Sequence, residues 1–302
     1  MDGDYILSYY GQILLIFGIL MSMHQIIRPE KAGLKLFKNI TALSQNAPFL
    51  FLVLAFIIDA SSLKLVTEYG GSDLPILYRI SAVWGGRAGP LLLFAALISI
   101  VTWFMTDNEE LDYDVRIMHG FTLGILFISW FLGPFATSEG IIPSELNPLL
   151  QTDLMVIHPP VVFSYYALCI ATASVAMSGV IHKKSAKEIH DSQLHWARAA
   201  FLIGTIGIGL GGLWAYTVLD WGGYWAWDPV ENASLLPWLL MVGALHGLHA
   251  YSKSGYSVKS TLMMVMLGFV LVLYATFLTR SGILGESSVH SFTDLGLSGQ
   301  LL

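Results

Sequence analysis

The chain has 302 residues, of which 55% are hydrophobic and 12% charged, with a formal net charge of −6. A soluble domain carries about twice that share of charge, so a soluble globular class is excluded, and no basic tract offers nucleic acid a footing. The one cysteine, Cys169, excludes an intramolecular disulfide and a CxxC redox centre within this chain.

The apolar residues fall in runs of about the length that crosses a bilayer, roughly 20 residues each. In chain order the expected spans are 5–27, 48–67, 89–105, 117–133, 160–181, 196–219, 233–252 and 258–278. The fold class read from them is all-α, a polytopic transmembrane helical bundle of about eight helices. The first run has no basic leader and no small-residue cleavage site before Arg28, so it is expected to stay as a helix. No linker or internal repeat divides the chain, so 1–302 reads as one domain.

Lysine and arginine choose the orientation. Arg28, Lys31, Lys35, Lys38, Arg116, Lys183, Lys184, Lys187, Arg198, Lys253 and Lys259 fall on one side, and Lys64, Arg79, Arg87 and Arg280 on the other. The positive-inside rule then puts both termini outside, with the segments 134–159, 220–232 and 279–302. Cys169 falls within the fifth span.

The outer segment 221–238 reads WGGYWAWDPVENASLLPW, with three tryptophans and a tyrosine within its first seven residues. Gly222, Gly223 and Pro229 oppose a regular helix there, so Trp221, Trp225 and Trp227 are expected to project from a broken turn. Asp228, Glu231 and Asn232 precede an apolar run and suit the capping of its free N–H groups. The ordinary reading is an interfacial aromatic belt; the density of rings with two carboxylates favours a platform for a large, flat, apolar ligand.

His158 lies in the outer stretch LNPLLQTDLMVIHPP, where Pro159 and Pro160 are expected at the first helical positions of the fifth span. His290, in SVHSF, follows the eighth span on the same side. A haem iron takes two axial ligands, and neutral imidazole is a common one. His246 falls inside the seventh span, where an ionisable side chain is expensive and marks a ligand or an interhelical hydrogen bond. His249 reads as interfacial, and His24 and His119 as snorkelling imidazoles at inner helix ends. Asp59, Arg79, Arg87 and Arg280 are outer polar candidates, the arginines suited to haem propionates or to lipid headgroups.

The segment 221–238 resembles the tryptophan-rich WWD signature of the haem-handling proteins of cytochrome c biogenesis. With LNPLLQ and IHPP, LTRSGIL and SVHSF, the chain is similar to the N-terminal half of the CcmF branch, from the YRISAVWG stretch at Tyr78 to its end; the CcsA and CcmC branches share the aromatic core. The resemblance implies a membrane-bound haem lyase that takes haem from a CcmE-like carrier in the periplasm and attaches it to apocytochrome c, helped by CcmH-like thiol-reducing chaperones. It implies His158 and His290 as axial ligands of the external haem, Trp221, Trp225, Trp227 and Asp228 as its platform, and His246 as a ligand of a structural haem b. The inner membrane of a bacterium or a mitochondrion is the implied location.

Two features depart from that pattern. CcmF proteins are about twice as long, and the second haem b histidine comes from a later helix. Gly285, Glu286 and Ser287 lengthen the connection before His290. The competing classes are a haem exporter without ligation and a membrane transporter gated by the aromatic loop; few intramembrane charges and no inverted repeat speak against the latter.

Overall fold

In the computed structural model, which describes residues 3–27, 35–106, 112–218, 223–281 and 283–284, the described residues form ten α-helices and one short 3-10 turn, with no strand. They are α1 Gly3–Ile27, α2 Lys35–Ile57, α3 Lys64–Tyr69, α4 Ile76–Ala82, α5 Ala88–Met105, α6 Tyr113–Phe131, α7 Asp153–Ile181, α8 Ala186–Thr217, α9 Pro229–Ser254 and α10 Val258–Arg280. Seven of them, all but α3, α4 and α6, are long and apolar enough to cross a membrane. The chain is an integral membrane protein of the all-α, polytopic kind.

Five of the expected spans are revised. The second helix begins at Lys35 and ends at Ile57, carrying Pro48 inside it, so Lys35 and Lys38 belong to its first turn and not to a loop. α6, expected as the fourth span, is a helix but falls short in apolarity, with Asp114 and Arg116 in its first turn. α7 begins at Asp153, α8 at Ala186 and α9 at Pro229, each ahead of its expected start. The short helices α3 and α4, at 64–69 and 76–82, had no periodic signal long enough to be seen.

Backbone contacts divide the chain into two compact units, Met1–Pro160 and Val161–Leu302, and α7 runs through the division. In the first unit α1, α2, α5 and α6 close a four-helix ring, α1 on α2, α2 on α5, α5 on α6 and α6 on α1. The ring is held by polar groups as well as packing, because hydroxyls and amides inside a bilayer must find partners within the protein. Gln45 Nε2 donates to Ser22 Oγ at 2.8 Å and lies 3.1 Å from His119 Nδ1, while Gln45 Oε1 accepts from Ser99 Oγ at 2.7 Å. His119, expected to snorkel at a helix end, is therefore a core residue, 6% exposed.

The loop after α6 is tied to α3: Lys64 N donates to Ala136 O at 2.8 Å, and Ser144 Oγ to Glu68 O at 2.6 Å. Arg79 spends its guanidinium on carbonyls of Leu74, Ile57 and Ser72, which fixes α4 to the end of α2.

Pro159 and Pro160 sit in the second turn of α7, not at its start. A proline returns no N–H to the carbonyl four residues back, which orphans Met155 O. The indole Nε1 of Trp84 donates to that oxygen at 2.8 Å, from a side chain only 5% exposed. A tertiary donor thus permits a proline that local rules would place at a helix start.

In the second unit α9 packs on α8 and on α10. α7 and α8 approach closely at Gly204, where an added Cβ would lie 2.8 Å from the Tyr165 ring. Gln193 Nε2 donates to Thr172 O at 3.1 Å across the same pair, and Cys169 is buried in α7, as expected.

We predict that Trp84→Phe, which keeps a ring but removes the donor, costs about 1–3 kcal/mol through the unpaired carbonyl. Thermal unfolding in detergent checks this; a midpoint equal to that of the unchanged protein contradicts it.

Candidate functional site

The tryptophan segment is built around two carboxylates. Pro229 occupies the first turn of α9 and Asp228 is its N-cap, with a complete capping box to Glu231. Asp228 Oδ1 accepts from Val230 N at 2.8 Å and from Glu231 N at 3.4 Å. Glu231 Oε2 reaches back to Ala226 N at 2.9 Å and Asp228 N at 3.3 Å, and Glu231 is 9% exposed. The expected capping role of both acids holds. One oxygen of each, Asp228 Oδ1 and Glu231 Oε2, is engaged by backbone donors, which shapes the loop.

Asn232 fastens the rings. Its Oδ1 accepts from Trp225 Nε1 at 3.2 Å, and its Nδ2 donates to Trp227 O at 3.1 Å. Trp227 stands in the left-handed region, φ 57°, a conformation that costs a bulky residue about 1–3 kcal/mol. The consequence is exposure: 74% of the Trp227 surface and 62% of Tyr224 remain open, while Trp225 is half-buried. Strain held by a surrounding network is a mark of a functional loop.

Residues outside the signature also hold it. Tyr224 stacks on Tyr216 of α8, with centroids 4.4 Å apart and planes 4° from parallel. A Cβ at Gly212 would stand 2.9 Å from Tyr224 O, so the loop backbone lies directly on α8. Trp238 donates Nε1 to Thr205 Oγ1 at 2.9 Å and stacks on Phe201. The glycine-rich end of α8 was the sequence signal for this contact, legible only once its partner is known.

Trp225, Trp227, Asp228, Glu231 and Asn232 therefore come together in the second unit. His246 lies two turns further along α9 than Trp238 and is exposed, as is His249. Arg280 ends α10, 6% exposed, its guanidinium 5.8 Å from the Phe163 ring. His158 belongs to the first unit, half-buried on α7, and Arg87 precedes α5, also half-buried. Asp59 sits in the turn after α2 with φ 54°, and His24 stacks on Phe37 at 5.6 Å. Trp221, His290 and Gly285 to Ser287 lie outside the described residues.

These features define a polytopic helical membrane protein that carries a strained, carboxylate-capped aromatic loop. The comparisons give the family. The chain belongs to the cytochrome c assembly protein family, whose model matches residues 84–284. It is 37% identical to the cytochrome c-type biogenesis protein CcmF of Escherichia coli K12, over 86% of this chain and 42% of that protein. It is 36% identical to the cytochrome c-type biogenesis protein NrfE of Haemophilus influenzae, over 80% of this chain and 39% of that one. A solved structure titled cytochrome c heme lyase CcmF shares the fold, with TM-score 0.69 at 24% identity, over 95% of this chain and 49% of its own. The chain thus spans less than half the length of these relatives.

Glu231→Ala should lower the unfolding midpoint by the equivalent of about 1–2 kcal/mol through loss of the cap, whereas Trp227→Gly, which relieves the left-handed strain, should leave it unchanged or higher. Equal losses in the two variants would refute the picture of strain held by the Glu231 carboxylate.

Proposed function

We propose that the chain is the haem-handling part of a CcmF-like machine of cytochrome c maturation, which presents haem at the Trp225–Trp227 loop for attachment to apocytochrome c. The observation that carries this is the division of labour in the loop. Its carboxylates are turned onto backbone N–H groups, while Tyr224 and Trp227 offer open ring faces. A porphyrin is flat and apolar on its faces, and such rings suit it. Burial of ring surface is worth about 25 cal/mol per Å².

In this reading haem is the cargo. His158 and His290 supply the axial imidazoles, Trp221, Trp225 and Trp227 with Asp228 the platform, and Arg87 and Arg280 the propionate contacts; Arg79, already bonded to three carbonyls, adds the least. Each thioether forms when a cysteine sulfur and its proton add across a vinyl group, with no leaving group. The chain's part is to hold the vinyls in one orientation and to exclude water, which is catalysis by positioning. His246 is the ligand for a structural haem b, and its exposure on α9 is what a residue coordinating an iron shared with another helix requires.

The chain acts as one haem-handling domain of a longer or multi-subunit assembly in the bacterial or mitochondrial inner membrane, with the loop on the periplasmic side. A CcmE-like carrier delivers haem, and apocytochrome c with CcmH-like thiol reductants receives it.

The test is the haem content of the purified assembly, read as pyridine haemochrome. His158→Ala and His290→Ala should each remove most of the external haem and abolish cytochrome c assembly without loss of helix content. Unchanged haem and normal cytochrome c in both variants would defeat the ligand assignment.

A further inference from the structure

The first unit contains a second polar site, remote in sequence from the aromatic loop, and nothing in the proposed haem chemistry uses it. Gln25 of α1, Lys38 and Gln45 of α2, Ser99 of α5 and His119 of α6 line a small space of about 10 Å³, room for about one water.

Three features say that this space is wet. Gln25 is 1% exposed and its Oε1 finds no hydrogen-bond partner among the described residues, although its Nε2 donates to Thr41 Oγ1. A buried amide oxygen left unpaired costs about 1–3 kcal/mol. His119 Nδ1 accepts from Gln45 Nε2, so the ring proton of the neutral imidazole sits on Nε2. Lys38 Nζ donates to Thr106 O and lies 4.6 Å from the Trp103 ring centroid, and it brings a cation to the same space. A polar space with donors and an orphaned acceptor holds water, whereas a dry cavity is lined by apolar groups.

The space runs inward from one end of the four-helix ring, with Gln45, Ser99 and His119 deeper along their helices than Gln25, Lys38 and Thr106. Gln25 is in the last turn of α1, Lys38 in the first turn of α2, Thr106 caps the end of α5 and His119 follows the start of α6. That is the end where the lysines and arginines gather. We propose that this end is a water-binding crevice, open to the inner aqueous phase, in which a bound water bridges Gln25 Oε1 and the His119 imidazole. The crevice lets His119 exchange its proton with the inner solution. The inference rests on the first unit alone and stands whether or not the loop carries haem.

Silver ion is the probe, since it is small, travels through water and replaces the thiol proton to give a silver thiolate. Ala42 lines the crevice, whereas its neighbour Leu43 does not and is 67% exposed. Ala42→Cys and Leu43→Cys are placed in the full-length protein in inside-out vesicles. Protection of each cysteine from a later maleimide is read by peptide mass spectrometry, with buried Cys169 as an internal reference. Ala42→Cys should react with Ag⁺ at least tenfold faster than Leu43→Cys or Cys169, and adding Gln25→Leu should slow it at least tenfold. Ser99→Cys, nearly isosteric, should behave as Ala42→Cys does and stands in for it if that variant fails to fold. Equal rates at 42 and 43, or reaction of residue 42 only from right-side-out vesicles, overturns the proposal.

Discussion

The carboxylate of Glu231 accepts from two backbone donors, Ala226 N and Asp228 N, and this interaction decides where the rings of the tryptophan loop can go. It ends the irregular segment, starts α9 in concert with Asp228, and holds Trp227 in a conformation that a bulky residue otherwise avoids. A carboxylate free to move would let Trp227 relax and bury its ring. Held as it is, the loop shows aromatic faces and hides its charges. The bonds that leave the rings exposed and those that stabilise the helix behind them are therefore the same few.

A related constraint governs the first unit. Inside a bilayer a backbone or side-chain polar group has no water to fall back on, and the sequence places prolines, glutamines and an imidazole in its helices regardless. Several are answered by a partner distant in sequence: Trp84, between α4 and α5, for the carbonyl freed by Pro159, and Ser22, Ser99 and His119 for Gln45, while Gln25 Oε1 is left unpaired among the described residues. Such pairs fix helix register more sharply than apolar packing between helices in lipid can. They also explain how polar atoms come to surround a small space at the end of the ring that carries Lys38.

What was legible in the sequence follows from the range of each interaction. The capping box at Asp228 and Glu231 is local, three residues apart, and was readable from spacing; the apolar runs gave the helical membrane class, and the first span matched its helix, Tyr5–Ile27. The start of α7 is not legible locally, because Pro159 reads as a helix beginning unless one knows that Trp84, 71 positions from Met155, satisfies the freed Met155 carbonyl. His119 reads as a snorkelling imidazole at a helix end because Gln45, its partner, is 74 positions distant. Tyr216 escaped notice since a tyrosine near a helix end looks like any interfacial aromatic, and only the stack on Tyr224 sets it apart. The platform could be read as a motif, while the residues that brace it could not.

The account's central claim is that the loop braced by Glu231 presents its indoles to a porphyrin. An electron cryomicroscopy map of the full-length protein loaded with haem tests it most directly. The account predicts porphyrin density lying against the rings of Trp225 and Trp227, with the Glu231 carboxylate still turned onto Ala226 N and Asp228 N. Haem bound elsewhere on the outer face, with the indoles packed into lipid, would contradict it.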